Sequence, residues 1–451
     1  MAGLSAAWWL DRRGMRDYVI LEMEGQAGGN SRWGEGEAGE YPWAAHYIPV
    51  PGAGATLVRE LFEELGVLGR DGVFNERHLC HSPQERLFLH GRWQEGLEPE
   101  LGAGREDHRQ YRGFQQRVDE LAASGEFRIP LETGACRRAD LDAQSFAGWL
   151  QREGFTSAPL RWYADYACRD DYGGSAEEVS AWAGLHYFAA RRETGEKGPL
   201  TWPEGNGWVA RKLIERAGER RLKTNEMVSR IERRGQRWHV QSSGAVYEAD
   251  AVIFAAPAYL LPYLTEKLTP RPPAVYSPWL TANLTLDRWP QERGLPVAWD
   301  NVIYKSPALG YVVSTHQSLR SRIDRTVWTY YWALTGAPPA QSRRRLLELD
   351  WHGWTEAVLT DLEQAHPDIR ACVSRIDIMR FGHAMARPVP GFLQRRGKPE
   401  IAPGFLLANA DVSGISIFEE AQYRGVEAAR AVLKRLGGGA AIVDSIRRPP
   451  R

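Results

Sequence analysis

The chain has 451 residues, 43% of them hydrophobic, enough to bury two cores or one large interleaved pair. Lys plus Arg and Asp plus Glu both number 57, so no net field draws it toward nucleic acid or an anionic membrane, and a small molecule is the expected partner. No apolar run approaches the roughly 20 residues of a membrane span. Cys80, Cys136, Cys168 and Cys372 are too dispersed for a zinc site or a disulfide framework, so no metal is expected.

Leu4, Ala7, Trp8 and Leu10 share one helical stripe that stops near Gly14, and "YVILE" then reads as a parallel strand covered on both faces and closed by an acid. From about Gly54 the texture turns helical, beginning with "TLVRELFEELGVL", with a hairpin at His90 and Gly91 in "ERLFLHGRWQEG". The aromatic-rich runs "DLDAQSFAGWLQREG", "PLRWYADYACRDDYG" and "EEVSAWAGLHYFAAR" read as core helices, with His186 and Tyr187 as packing residues. Asp170 and Asp171 read there as a solvated helix end rather than an acid pair. Near Thr201 an α/β texture returns: a Gly-rich turn into the helix of "PEGNGWVARKLIERAGE", then a strand, a hairpin and the buried strand of "ADAVIFAAP". Strands are expected in "YVVST" and "VWTYYWAL", followed by one long amphipathic helix, "RRRLLELDWHGWTEAVLTDLEQAH". The last strand, loop and helix lie in "PGFLLANADVSGISIFEEAQYRGVEAARAVLKRLG".

No repeat or low-complexity linker separates the two textures, so they interleave. This predicts a discontinuous cofactor domain from 1–55, 200–268 and 375–437, a substrate domain from 56–199 and 269–374, and a tail at 438–451. A dinucleotide fingerprint needs a strand, G-x-G-x-x-G, a helix, and an acid ending the second strand about 20 residues on. Gly3 fits the third glycine, and Glu22 lies 22 − 3 = 19 positions later. The preceding strand and first two glycines are expected upstream of Met1, in which case the chain as given holds its cofactor weakly.

Continuing through "LEMEGQAGGNS", the sequence resembles the flavin-dependent amine oxidase, phytoene desaturase and protoporphyrinogen oxidase superfamily. That resemblance implies an α/β fold: an FAD/NAD(P)-binding Rossmann-like domain, N-terminally incomplete, interleaved with a mixed α+β substrate domain. It places Glu22 at the adenosine ribose of FAD, and Gly28 and Gly29 near the pyrophosphate and flavin. It also places the backbone of Val228 at adenine, with Ala255, Ala256 and Pro257 closing the strand that follows. Asp411 would hold the ribityl or phosphate region, and N–H groups near Ile417 and Phe418 would face the pyrimidine end of the flavin. No cysteine stands near the final loop, so FAD is expected to be non-covalent. Ser413, Gly414 and Ser416 stand there instead of a paired aromatic cage.

The expected activity is hydride transfer from a small or medium organic substrate to FAD, with oxygen or another acceptor closing the cycle. A desaturase or isomerase acting on a hydrophobic molecule is the enzymatic rival, and a degenerate non-catalytic flavoprotein is the rival of another class. His46 in "YPWAAHYIPVP" and His383, flanked by Arg380 and Arg387, are the candidate catalytic bases. The compartment stays open, cytoplasmic by default.

Overall fold

The computed structural model describes residues 1–134, 138–192, 198–266, 268, 274–292, 294–320 and 322–437; Cys136 and the expected tail at 438–451 lie outside them. The chain forms two compact units from interleaved segments. One comprises Met1–Gly29, Val209–Ala274 and the stretch from Arg395 onward, and the other Asn30–Trp208 and Val275–Gln394.

In chain order the first unit opens with helix α1 (Ala2–Arg12) and strand β1 (Ile20–Leu21). The second follows with β2 (Trp33–Gly36), β3 (Gly39–Pro42), β4 (Tyr47–Ile48), α2 (Thr56–Leu65), β5 (Glu85–Leu89) and β6 (Arg92–Glu95). Its helical stretch is α3 (Arg105–Ala123), α4 (Ala139–Asp142), α5 (Phe146–Arg152), α6 (Ala158–Tyr172) and α7 (Ala181–Ala189), closed by β7 (Leu200–Thr201). Then come α8 (Gly207–Ala217), β8 (Leu222–Lys223), β9 (Val228–Arg234), β10 (Arg237–Ser242), β11 (Val246–Ala249), β12 (Val252–Phe254) and α9 (Leu261–Leu264). The second unit resumes with β13 (Val275–Leu286), β14 (Asp300–Ile303), β15 (Gly310–Val313), β16 (Thr326–Ala333), α10 (Pro339–Glu348), α11 (Trp351–Glu363), β17 (Val373–Arg387) and α12 (Phe392–Arg395). The first unit ends with β18 (Glu400–Ala402), β19 (Phe405–Leu407) and α13 (Phe418–Arg435).

In the first unit β1 runs parallel to β8, and β12 runs parallel to β19, whose other neighbour β18 is antiparallel. The expected "YVILE" strand shortens to Ile20–Leu21, although the N–H groups of Ile20 and Glu22 still bond Arg221 O (2.7 Å) and Lys223 O (2.9 Å). Helix α1 is buried far beyond a single stripe, because α13 packs along it. At Gly425 an added Cβ would sit 2.1 Å from the Ala2 carbonyl oxygen, so only glycine allows that approach. Arg430 caps the contact, its guanidinium 4.3 Å from the ring centroid of Trp9.

The second unit is organised by a seven-stranded sheet of order β17-β13-β16-β15-β14-β5-β6. Side chains alternate between its faces. Leu280, Trp328, Tyr330 and Trp332 pack on one face with Trp354, Val358 and Leu362 of α11, while Leu87, Trp279, Val302 and Tyr331 lie on the other with Tyr166 of α6. The hairpin at His90 (φ 51) and Gly91 (φ 76) forms between β5 and β6 as expected, both residues taking the positive φ of a two-residue turn. The single long helix expected after β16 is instead broken at Leu349 and Asp350. There the Asp350 carboxylate accepts the Gly353 N–H at 2.8 Å and starts α11 afresh. Among the described residues no helix is long and apolar enough to cross a membrane.

Candidate functional site

In the first unit the candidate cofactor residues are mostly helix ends and strand ends. Helix α1 starts without a side-chain cap and without an acid in its first turn, leaving N–H groups and the positive end of the dipole for an anion. Gly3 lies in that turn, and a Cβ there would stand 3.2 Å from the Ala255 Cβ, which draws the start of α1 against the end of β12. Glu22 follows β1 and accepts the Glu24 N–H at 3.0 Å. Burial lowers the Met1 amine to about 6 while the Glu22 carboxylate raises it, so the helix start and the acid are within electrostatic reach. Gly28 (φ 131) and Gly29 (φ 60) take conformations that side chains rarely adopt.

Val228 opens β9 and packs with Phe254 and Leu407. The loops after β12 and β19 are tied together: Asn409 Nδ2 donates to Ala256 O, and Asp411 Oδ2 accepts the Ala258 N–H at 2.8 Å. Ile417 is the N-cap residue of α13 and makes no side-chain cap, while Glu419 and Glu420 stand in that helix's first turn. Sequence reasoning passed over Ser5 and Asn409. Ser5 Oγ and Asn409 Oδ1 are buried without a hydrogen-bond partner, and the signal for Ser5 was a hydroxyl inside an otherwise apolar stripe.

His46 and His383 both belong to the second unit. Burial holds His46 down to about 4, and its Nδ1 lies 3.1 Å from Ala44 O, an acceptor, which fixes the ring proton on Nδ1. Its ring stacks on Tyr331 at 4.4 Å. His383 sits on β17, a strand that sequence reasoning had not recognised, and meets Tyr276 edge-on at 5.7 Å; burial and Arg343 lower its pKa. His186 is packing as expected, stacked on Trp182 at 5.0 Å with Nε2 bonded to Arg128 O at 2.9 Å.

The expectation of a solvated end for Asp170 and Asp171 fails. Both are packed inward at the end of α6, where the Tyr47 hydroxyl lies 3.3 Å from one carboxylate and 3.4 Å from the other. Arg191 pairs with Asp171 at 2.6 Å. Asp170 is pushed up to about 7 by burial and then by Asp171, with Arg191 opposing. Asp300 stands across β14 from Glu85 of β5 in direct register, and both are raised by burial, Asp300 further by Glu85 and Asp170. Glu85, Asp170 and Asp300 are each part-buried. Sequence reasoning passed over Glu85 and Asp300 because only the β5–β14 register brings them together. On the adjoining face of α6, Trp162, Asp165 and Arg169 line a separate cleft of about 570 Å³ with Lys305 and Arg345.

Parallel strand pairs with helix starts beside them, interleaved with a sheet-and-helix unit carrying buried titratable groups, define a Rossmann-like α/β architecture. The chain belongs to the flavin containing amine oxidoreductase family, whose profile matches residues 1–433. Its fold is similar to that of cyclohexylamine oxidase from Brevibacterium oxydans IH-35A, with a TM-score of 0.70 at 17% identity over 97% of each chain. It is also similar to putrescine oxidase bound to putrescine (TM-score 0.71, 15% identity, 96% of this chain and 97% of that one). A fatty acid isomerase from P. acnes gives a TM-score of 0.69 at 14% identity over 96% of each chain. No curated protein matches the sequence.

Proposed function

We propose that the chain is an amine oxidase-like, FAD-dependent oxidoreductase that takes hydride from a small or medium organic substrate. What supports it most is the pair of helix starts without side-chain caps, α1 and α13, in the unit where Gly28 and Gly29 follow an acid-ended parallel strand. Bound FAD would supply a two-electron acceptor. Gly3 and the first-turn amides of α1 suit a pyrophosphate, Glu22 suits ribose hydroxyls, and the start of β9 at Val228 suits adenine. The buried, unpartnered Ser5 Oγ and Asn409 Oδ1 fit a polar ligand at this end of the unit. Ala256 and Asp411, linked through the two tied loops, would hold the ribityl chain, and the amides at Ile417 and Phe418 would stabilise charge at the pyrimidine ring.

In the second unit His46 and His383 are the groups available to orient substrate or handle its proton. With its proton on Nδ1, His46 offers Nε2 as an acceptor, but a pKa of about 4 makes it a weak base near neutrality. The full chain, purified, is expected to be yellow, to release intact FAD on acid precipitation, and to bleach when an oxidisable substrate is added without air. A folded, colourless protein that takes up no added FAD would overturn this function.

A further inference from the structure

We propose that the cleft bordered by α6, the start of α10 and the turns after β14 and β16 binds a small organic phosphate, a monoester carried on an apolar body. The site stands apart from the redox function proposed above, because neither the candidate flavin residues nor His46 and His383 line it.

The cleft has a fixed polar floor. In the turn after β14 the buried Ser306 hydroxyl lies 2.9 and 2.8 Å from the two carboxylate oxygens of Asp361 on α11, and it accepts the Ala308 N–H at 2.9 Å. Tyr330 donates to the same carboxylate at 2.8 Å. From α6, Arg169 is only 6% exposed, and its Nη1 donates to the carbonyl oxygens of Ser306, Pro307 and Ala308 at 3.4, 3.2 and 3.3 Å. Beside this anchored turn Lys305 takes φ 62, the left-handed conformation that a lysine seldom adopts.

The lining is positive and short of acceptors. Arg169, Lys305 and Arg345 face one acid, Asp165, which leaves 3 − 1 = +2. Asp165 is already engaged: it lies 3.0 Å from Arg169 Nε, off the line a hydrogen bond needs, and accepts the Ala176 N–H at 2.9 Å. Arg345 sits over the rings of Trp332 and Trp354, 5.6 and 5.4 Å from their centroids, and Lys305 lies 5.3 Å from that of Tyr304. Among the described residues neither cation has a carboxylate partner. Arg169 Nε and Trp162 Nε1 are buried without a hydrogen bond, so both unmet polar atoms of the lining are donors. Helix α10 adds the positive end of its dipole, since Gln341 and Ser342 line the cleft and no side-chain cap or first-turn acid offsets it.

Unmet donors around a double positive charge suit an acceptor-rich dianion. A phosphate monoester is one above its second pKa of about 6, whereas a carboxylate brings a single charge. Pro307, Leu334 and Ala337, with the Trp162 and Trp332 rings, give apolar surface for the rest of the molecule, and a cleft of about 570 Å³ has room for it.

The test is calorimetric titration of the full chain as purified, at pH 8, with phenyl phosphate, inorganic phosphate and benzoate. Phenyl phosphate should bind at least about tenfold more tightly than either other probe, without releasing flavin. Arg345→Gln and Lys305→Asn should each weaken it about tenfold; asparagine is chosen because it tolerates positive φ. Both side chains are exposed, so neither change should unfold the chain, and an unaltered circular dichroism spectrum verifies this. Arg344→Gln removes the same charge from the same helix but outside the lining, and should change affinity less than about twofold. No binding, benzoate or inorganic phosphate matching phenyl phosphate, affinity unchanged in both cleft variants, or an equal loss in Arg344→Gln would each overturn the proposal. Release of flavin by phenyl phosphate would assign the binding to the cofactor's own phosphate site and overturn it too. A colourless chain that still shows both cleft-variant losses supports the cleft and defeats the redox function, and a yellow, bleachable chain with no phosphate binding does the reverse.

Discussion

The two units present polarity in opposite ways. In the first, Gly3, Gly425 and the amide ends of α1 and α13 do the presenting, so function depends on how closely backbones approach. In the second, it is carried by ionisable side chains inside a packed sheet and helix layer, several of them shifted by burial. The first should therefore be intolerant of added atoms, and the second tolerant of near-isosteric change and more responsive to pH.

The largest effect is expected at Gly425. Gly425→Ala places a methyl carbon where the Ala2 carbonyl oxygen already stands, 2.1 Å away, so α13 must move off α1. Overpacking of this kind costs about 1–3 kcal/mol and sometimes more. A lowered melting temperature with loss of bound flavin is the expected outcome, and a variant that melts like the parent and stays yellow would show that the helices can separate freely.

Asp300→Asn should act in the opposite direction. A carboxylate raised above its unfolded value weighs against the folded state. The cost is absent below the usual carboxylate range, grows as pH rises toward the folded pKa, and is complete above it. Removing the charge should therefore stabilise the protein at pH 8 and do little near pH 4. Denaturant melts at the two pH values measure this; destabilisation at pH 8 would show that the carboxylate is satisfied after all.

The same contrast explains what could be read from sequence. The first unit's candidates lie in short motifs whose residues are near one another in the chain, such as Glu22 with Gly28 and Gly29, and local patterning suffices to find them. The His90–Gly91 hairpin and helix α2, stopped by Gly66 at φ 74, were legible for the same reason. Strand β17 was not, because "RFGHAMAR" mixes polar, small and aromatic residues and becomes a strand only by pairing along β13. The α10–α11 break turned on Asp350 acting as a cap inside a continuous amphipathic pattern. Asp170 and Asp171 were misread because helix-end acids are normally solvated, and nothing local announces Tyr47 and Arg191 closing over them.

A smaller effect is expected at Asp411, which joins the loops after β12 and β19 by accepting the Ala258 N–H. Asp411→Ala removes that link without touching the core, so FAD affinity should fall about tenfold, close to 1.4 kcal/mol, with little change in melting temperature. Fluorescence titration of the stripped protein with FAD measures it, and unchanged affinity would mean that the loop is held by other contacts.

The smallest effect is expected at His46. Held near 4, its imidazole is already neutral throughout pH 6–8, and His46→Phe keeps an aromatic ring against Tyr331. Asp170 is the group that titrates in that range, at about 7, facing Asp171, Arg191, Tyr47, Glu85, Asp300, Tyr187, Tyr166 and Tyr331. Raised by burial, Asp170 weighs against the folded state as it ionises, so stability should fall as pH rises above the usual carboxylate range, with an inflection near 7. That inflection should persist in His46→Phe and disappear in Asp170→Asn. An inflection that vanishes with the histidine and survives loss of the carboxylate would move proton control to His46 and make this unit's pH response the work of a base rather than of a buried acid.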